Sequence, residues 1–392
     1  MKSFRIFASA VAMTVVFSGA AEPAEAGLSS DWPQPGYDAG HSYYNPNETI
    51  VNTTTIKTLK LRWQATPTPS DCPGIPGQLG PIVAGGPTLT EDNTGLIARD
   101  SMTGHEVWKA DDFIADHLAS NLIVSGSTVI VTTPSNDCVV EGSDHDGFIE
   151  AFDLATGNHL WHAVDATDAS DVIVTDGMVI VCGFQSATDP LVSAYRLSDG
   201  KLAWSDASDD EGRTLVSMIP VNHQVIVRDF GVPVMRDVLT GAVRGYSPTT
   251  WLPLAVTPNG DRVIVGDYGD WTLKVVRVSD RSTLWSMDRV SNRIATDGRR
   301  IYMGIGSNLE AYDLAGGKQA WSVKLGGRVG QPVRAGGMVY AAVAGKPVAI
   351  RNASSGAKIK PNAALSRVTN VAAVGGGHLY AISGSRIDVF AP

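Results

Sequence analysis

The chain is poor in cysteine, with three in 392 residues, and it lacks a basic stripe, since acids outnumber bases and leave a formal net charge of −9. Phosphate binding releases counterions only where Lys and Arg cluster, so nucleic acid is a poor partner. Beyond the N-terminal segment, no apolar run reaches the ~20 residues that cross a bilayer as a helix. There is no His pair at helical metal-ligand spacing, no nucleophile elbow and no glycine-rich phosphate loop, so hydrolase and lyase chemistry have no signature here. The 41 glycines are explained by turns.

What is present begins with an export pattern. Lys2 and Arg5 precede an apolar stretch from Ile6 to Phe17, and Ala24-Glu25-Ala26 supplies the small-x-small pattern that signal peptidase reads. Residues 1–26 are therefore expected to be a signal peptide, leaving 27–392 as one soluble mature domain, secreted or periplasmic. No cysteine lies near the cleavage point, so a lipid anchor would lack its attachment residue.

Internal repetition organises the rest. Seven 15-residue windows align: TGLIARDSMTGHEVW from Thr94, GFIEAFDLATGNHLW from Gly147, PLVSAYRLSDGKLAW from Pro190, GVPVMRDVLTGAVRG from Gly231, WTLKVVRVSDRSTLW from Trp271, SNLEAYDLAGGKQAW from Ser307 and KPVAIRNASSGAKIK from Lys346. The eleventh position is glycine in six of the seven, at Gly104, Gly157, Gly200, Gly241, Gly317 and Gly356, with Arg281 the exception. The fifteenth is tryptophan in five of seven. Each window reads as two antiparallel strands: Phe148, Glu150 and Phe152 alternate with Ile149 and Ala151, the period of a strand. In Asp153-Leu154-Ala155-Thr156-Gly157 the small and polar residues suit a type I turn, and Gly157 can take the positive φ that closes a hairpin with a bulge. Arg281 implies a relaxed turn.

Two further β-rich runs precede each window, such as Val172–Val174 and Met178–Val181, which makes four strands in about 40 residues, one propeller blade. After the seventh window, His378–Ile382 and Arg386–Phe390 supply two strands, and the outermost strand appears at the other end of the chain as Leu59–Trp63. The expected fold is all-β: an eight-bladed propeller of four-stranded antiparallel blades, with residues 27–65 forming an N-terminal approach and a closing strand. Closure removes the free sheet edges that would otherwise recruit other chains.

The segment DWPQPGYDAGHSYYNPNETIVNTTTIKTLKLRW, Asp31 to Trp63, resembles the N-terminal approach of the quinoprotein alcohol dehydrogenase-like superfamily, and AFDLATGNHLW resembles its repeated tryptophan-docking motif. The resemblance, that of a pyrroloquinoline-quinone-type repeat propeller, covers nearly all of the mature chain. It implies that Trp63, Trp108, Trp161, Trp204, Trp285 and Trp321 lock neighbouring blades together. The enzymes of the family place two adjacent cysteines over the quinone, hold calcium with acidic and amide side chains, and use an aspartate base. This chain has no Cys-Cys pair and little sequence beyond the blades, so no catalytic residue is carried over. The β-barrel assembly lipoprotein of Gram-negative outer membranes has similar repeats and implies a non-catalytic reading. A binding or scaffold protein without cofactor, holding a protein or small molecule and acting as a monomer, is expected; a dehydrogenase of alcohols or sugars using PQQ with calcium is the alternative.

Several side chains are candidates for that binding. Connections after Trp108, Trp161 and Trp204 are rich in acids, including Asp112, Asp168 and Asp209, whereas later connections carry Arg293, Arg328 and Arg367. Ring closure sets the two groups across one opening, farther apart than the ~8 Å screening length at physiological salt, as a face able to steer a charged partner; ordinary solvated turns explain the same residues. Cys72 and Cys138 fall in loops expected to open on one face and are a candidate disulfide, while Cys182 follows a β run and suits a buried thiol. Asp144-His145-Asp146-Gly147 suits an exposed turn or a metal site. Asp267-Tyr268-Gly269-Asp270-Trp271 suits a polar turn with Trp271 covering a blade edge, or a sugar site.

Overall fold

A computed structural model describes residues 30–68, 79–92, 94–110, 121–133, 147–165, 169–183, 190–207, 217–228, 233–247, 250–384 and 386–392. Eight four-stranded sheets form the ring, and the described residues hold only two short 3-10 turns besides. Numbered along the chain, blade 1 spans 79–110, blade 2 121–165, blade 3 169–207, blade 4 217–246, blade 5 251–287 and blade 6 294–324. Blades 7 and 8 take their main strands from 329–352 and 370–391. Within each of the first six blades, consecutive antiparallel strands run outward from the ring axis. Both faces of each sheet are therefore covered by neighbours, which is why second strands such as Met178–Gly183 are apolar throughout instead of alternating. Cys182 is buried there, as a thiol packed in the core of blade 3.

The ring closes as expected. Lys60–Ala65 pairs antiparallel with Arg386–Ala391, in a register that sets Lys60 opposite Ala391 and Trp63 opposite Val389. Gln64 Nε2 also donates to Asp388 Oδ1 at 2.6 Å across this seam. Blade 7 is different. Its fourth strand, Tyr44–Asn45, adds on the axis side and runs parallel to Val329–Ala335. The outer place holds only a single bridge, Arg351 to Lys358, followed by the 3-10 turn Ala363–Arg367.

The hairpin turn in each window is set by its own side chains. Asp153 Oδ1 accepts from the Thr156 amide at 2.9 Å and hydroxyl at 2.7 Å, and the Gly157 amide closes onto the Asp153 carbonyl at 2.8 Å. Those bonds hold the exposed Asp153 carboxyl below its ordinary value. Gly157 has φ 72°, a region in which a side chain is strained. The expectation of a relaxed turn at Arg281 is overturned, because Arg281 adopts φ 60° and keeps the glycine's conformation. The bonds of Asp280 to Ser282, at 3.0 Å to its amide and 2.6 Å to its hydroxyl, hold the loop in the same shape.

Candidate functional site

Six junctions between blades share one construction. A tryptophan on the outermost strand of one blade lies over the turn glycine of the next and donates its indole N–H to a carbonyl there. Trp63 bonds Ser101 at 2.8 Å, Trp108 Leu154 at 2.9 Å, Trp161 Leu197 at 2.9 Å, Trp204 Val238 at 2.8 Å, Trp285 Leu314 at 2.8 Å and Trp321 Ala353 at 3.1 Å. The glycine is required by space as well as by φ: a Cβ on Gly157 would stand 2.5 Å from Trp108 Cε3. Every tryptophan that the repeat places at this position is thus a structural latch.

One mouth of the ring is closed by the chain itself. Residues 30–45 run along the inner strand ends, with Trp32 bonded to Val83 of blade 1 at 2.8 Å and the Pro33 carbonyl accepting from Val124 of blade 2 at 2.8 Å. Gly40 then meets Val256 of blade 5 at 2.7 Å, Ser42 meets Thr296 of blade 6 at 2.9 Å and Tyr43 meets Arg334 of blade 7 at 2.9 Å. Asn45 Nδ2 completes the circuit by donating to Val374 of blade 8 at 2.9 Å. The buried Glu48 carboxylate anchors the exit, accepting from the amides of Ile50 and Val51, both at 2.7 Å, and of Gly377 at 3.1 Å.

Two carboxylates beneath this plug are bonded internally. Asp38 accepts from the Ser42 amide at 2.9 Å and hydroxyl at 2.5 Å, yet burial raises its carboxyl above the usual range. Asp297 receives Tyr302 Oη at 2.8 Å and pairs with Arg334 at 3.3 Å, whose guanidinium stacks on the Tyr44 ring at 5.2 Å. Desolvation, then the Asp297 charge, pushes the Tyr302 hydroxyl up. The cluster fastens Tyr44 of the plug to blades 6 and 7. Beside the plug, on blades 1 and 2, is a cavity of 720 Å³ lined by Asp31, Tyr37, Val107, Trp108 and Leu154 among others.

The candidates for the opposite face divide. Arg293, Arg328 and Arg367 sit on the connections that enter the innermost strands of blades 6, 7 and 8, Arg328 and Arg367 exposed and Arg293 half-buried. Asp112, Asp168 and Asp209 lie outside the described residues, as do Cys72, Cys138, Asp144, His145 and Asp146. Of the other charges read with these connections, Asp206 lies in the outer strand Leu202–Ala207 and forms a close ion pair with Arg236, and Arg289 pairs with Glu310 at 3.0 Å. Asp171 lies within the innermost strand of blade 3, not in a connection, and burial raises its carboxyl while the His41 charge opposes the rise. The stretch 267–271 is a turn between strands, but Trp271 does not cover a blade edge. It is 66% exposed at φ 59°, with only Tyr268 edge-on at 5.6 Å. Asp267 serves the blade instead: burial alone would raise its carboxyl, but Lys274 at 2.5 Å and the Gly269 amide at 3.0 Å hold it well below the usual range.

The repeated latch, the eight blades and the strand that closes the ring define a PQQ-type repeat β-propeller. Within that class the chain belongs to the family described as outer membrane protein assembly factor BamB, whose model matches residues 47–245 and 269–387. The crystal structure of BamB from Moraxella catarrhalis is similar with a TM-score of 0.60 at 17% identity, covering 85% of this chain and 100% of that one. The computationally designed Ika8 protein matches with a TM-score of 0.60 at 12% identity, over 79% of this chain and 95% of its own. Dihydro-heme d1 dehydrogenase NirN matches with a TM-score of 0.59 at 10% identity, over 88% of this chain and 78% of its own. At these identities the likeness is one of fold. No curated protein matches the chain by sequence.

Proposed function

We propose that this chain is an exported, non-catalytic propeller that holds a protein partner on the face opposite its plug. The observation that carries the reading is the plug: residues 30–45 close one mouth with the chain's own backbone, which leaves the connections between blades as the surface free to meet another molecule. Six latched junctions hold together the ring that carries those connections. Family membership supports a partner of protein nature. Export rests on residues 1–26, and among the described residues no helix is long and apolar enough to cross a membrane.

The quinone alternative finds little to rest on. The sequence has no adjacent cysteines. Among the described residues no group of three His, Cys, Asp or Glu side chains is placed to hold a metal ion.

The test is capture from an envelope fraction by the wild-type chain and by two charge-reversed forms, D112K/D168K/D209K and R293E/R328E/R367E. At least one reversed form should lose the partner, with the loss shrinking at high salt. Equal capture by all three would remove the face from consideration. Addition of the quinone with calcium should leave the absorbance spectrum of the protein as the sum of its parts; a new bound-quinone band would restore the dehydrogenase reading.

A further inference from the structure

Between blades 4 and 5 the latch is missing, and both halves are missing together. The donor position, tryptophan in six blades, is Gly245; the receiving position, glycine in six turns, is Arg281. The two face each other. A Cβ on Gly245 would lie 3.0 Å from Arg281 Nη1 and 3.1 Å from Nη2, so the guanidinium stands over the place from which an indole would project.

The arginine does not refill the space. A cavity of 370 Å³ opens at this junction, lined by apolar side chains of both blades, among them Ile226, Met235, Val263, Val276 and Trp251, with Arg281 at its wall. That volume lies within the range of roughly 300–1,000 Å³ typical of small-molecule sites. The core between these blades is less completely covered: all of its buried members but Ile219 keep 4–8% exposure, whereas at the latched junction of blades 2 and 3 most are at 0% and the rest reach no more than 5%. Trp251 is fixed at the wall, its Nε1 donating to Asp267 Oδ2 at 3.0 Å.

Charge selects the ligand. Neighbouring guanidinium groups are committed, Arg277 to Asp280 at 2.7 Å and Arg244 to Asp237 at 2.8 Å. Arg281 has no carboxylate partner among the described residues, and it holds a left-handed backbone, φ 60°, that strains any residue with a side chain. A planar cation beside an apolar slot with room for an indole suits a flat ring bearing an acid: the ring stacks and excludes water, and the carboxylate takes the fork of two N–H donors. We propose that the junction of blades 4 and 5 is a binding site for a small aromatic carboxylate, held by Arg281 and the apolar cavity where a tryptophan latch would otherwise stand. The site is separate from the partner face and does not depend on that reading.

Titration of the full chain with indole-3-acetate, followed by tryptophan fluorescence and calorimetry, tests this. Saturable binding is expected, with neutral indole and cationic tryptamine each at least about tenfold weaker, the difference a charge-assisted pair supplies. Arg281→Met keeps the cavity and removes the cation, and should bring indole-3-acetate to the level of indole. The double variant G245W/R281G rebuilds the latch found at six other junctions, and should abolish binding of both while raising the melting temperature. Absence of saturable binding to the wild-type chain overturns the proposal, as does affinity for indole-3-acetate that survives Arg281→Met. The methionine variant decides the point without the rebuilt latch.

Discussion

The junction of blades 2 and 3 and the junction of blades 4 and 5 are built on the same strands in the same order, yet one is sealed and the other is not. At the first, Trp161 donates to Leu197 at 2.9 Å and lies on Gly200; at the second, Gly245 faces Arg281 and a cavity remains. The difference shows that strand packing alone brings the blades together but does not close their outer seam. The indole does that, and it needs a glycine opposite. At this junction loss of either residue makes the other unnecessary, and Gly245 and Arg281 stand there as a pair.

The largest test removes the seam at which the chain's two ends meet. Deletion of residues 27–65 takes out the plug, the closing strand and Trp63, and leaves Ile387, Val389 and Phe390, now buried, on an open edge. Soluble folded protein should be lost, measured by expression yield and thermal melting; an unchanged melting temperature would refute ring closure by the N-terminal strand. Next in size, Trp108→Ala should cost about 3–5 kcal/mol in denaturant unfolding, while Arg281→Ala at the unlatched junction should stay within about 1 kcal/mol. Equal costs would end the distinction between the junctions. Gly157→Ala drives a Cβ to 2.5 Å from Trp108 Cε3 at φ 72° and should cost about 1–3 kcal/mol, whereas Arg281→Gly should be neutral or stabilising.

The smallest effect compares blades 2 and 6, where the fourth window position is glutamate in both. Glu310 is bonded by Tyr312 Oη at 2.5 Å, Arg289 at 3.0 Å and Ser322 Oγ at 3.2 Å. Glu150 Oε2 is buried without a hydrogen-bond partner among the described residues, and desolvation raises its carboxyl from 4.5 to about 7. A raised carboxyl means that the folded state binds more protons, so this group favours folding most below pH 4.5 and loses that contribution as pH rises from 4.5 to about 7. Glu150→Gln should flatten the melting temperature across that interval; identical pH profiles for wild type and Glu150→Gln would sink the assignment.

Much of this was legible in the residues because the fold repeats. Gly157 and Trp161 recur with their neighbours at blade spacing, so turn, strand pair and latch follow from periodicity, and the closing strand follows from the missing eighth set. The departures Gly245 and Arg281 were visible singly but not as partners. Aligned windows compare equivalent places in different blades, whereas the latch joins the end of one window to the turn of the next. The plug was not legible at all: residues 31–47 have no periodicity, and their path is fixed by backbone amides and carbonyls on six blades, from Val83 to Val374, that only the closed ring brings together. The Asp297, Arg334 and Tyr302 cluster was missed for the same reason, since its members are ordinary β-strand and turn residues until the blades assemble.

The seam between Lys60 and Ala391 also orders events in time. A ribosome makes Lys60 more than three hundred residues before the residue it will pair with. Until then the last blade has no outer strand, the plug has no complete rim to rest on, and the leading segment must wait while the blades between are made. Such long-range pairing is slow, because the entropy of closing a long loop must be overcome before contacts reward it. The chain therefore cannot finish folding from its N-terminus, as domains commonly do during synthesis. The ring can close only when Arg386–Ala391 has been made, so a product truncated before it would lack the partner for Lys60–Ala65.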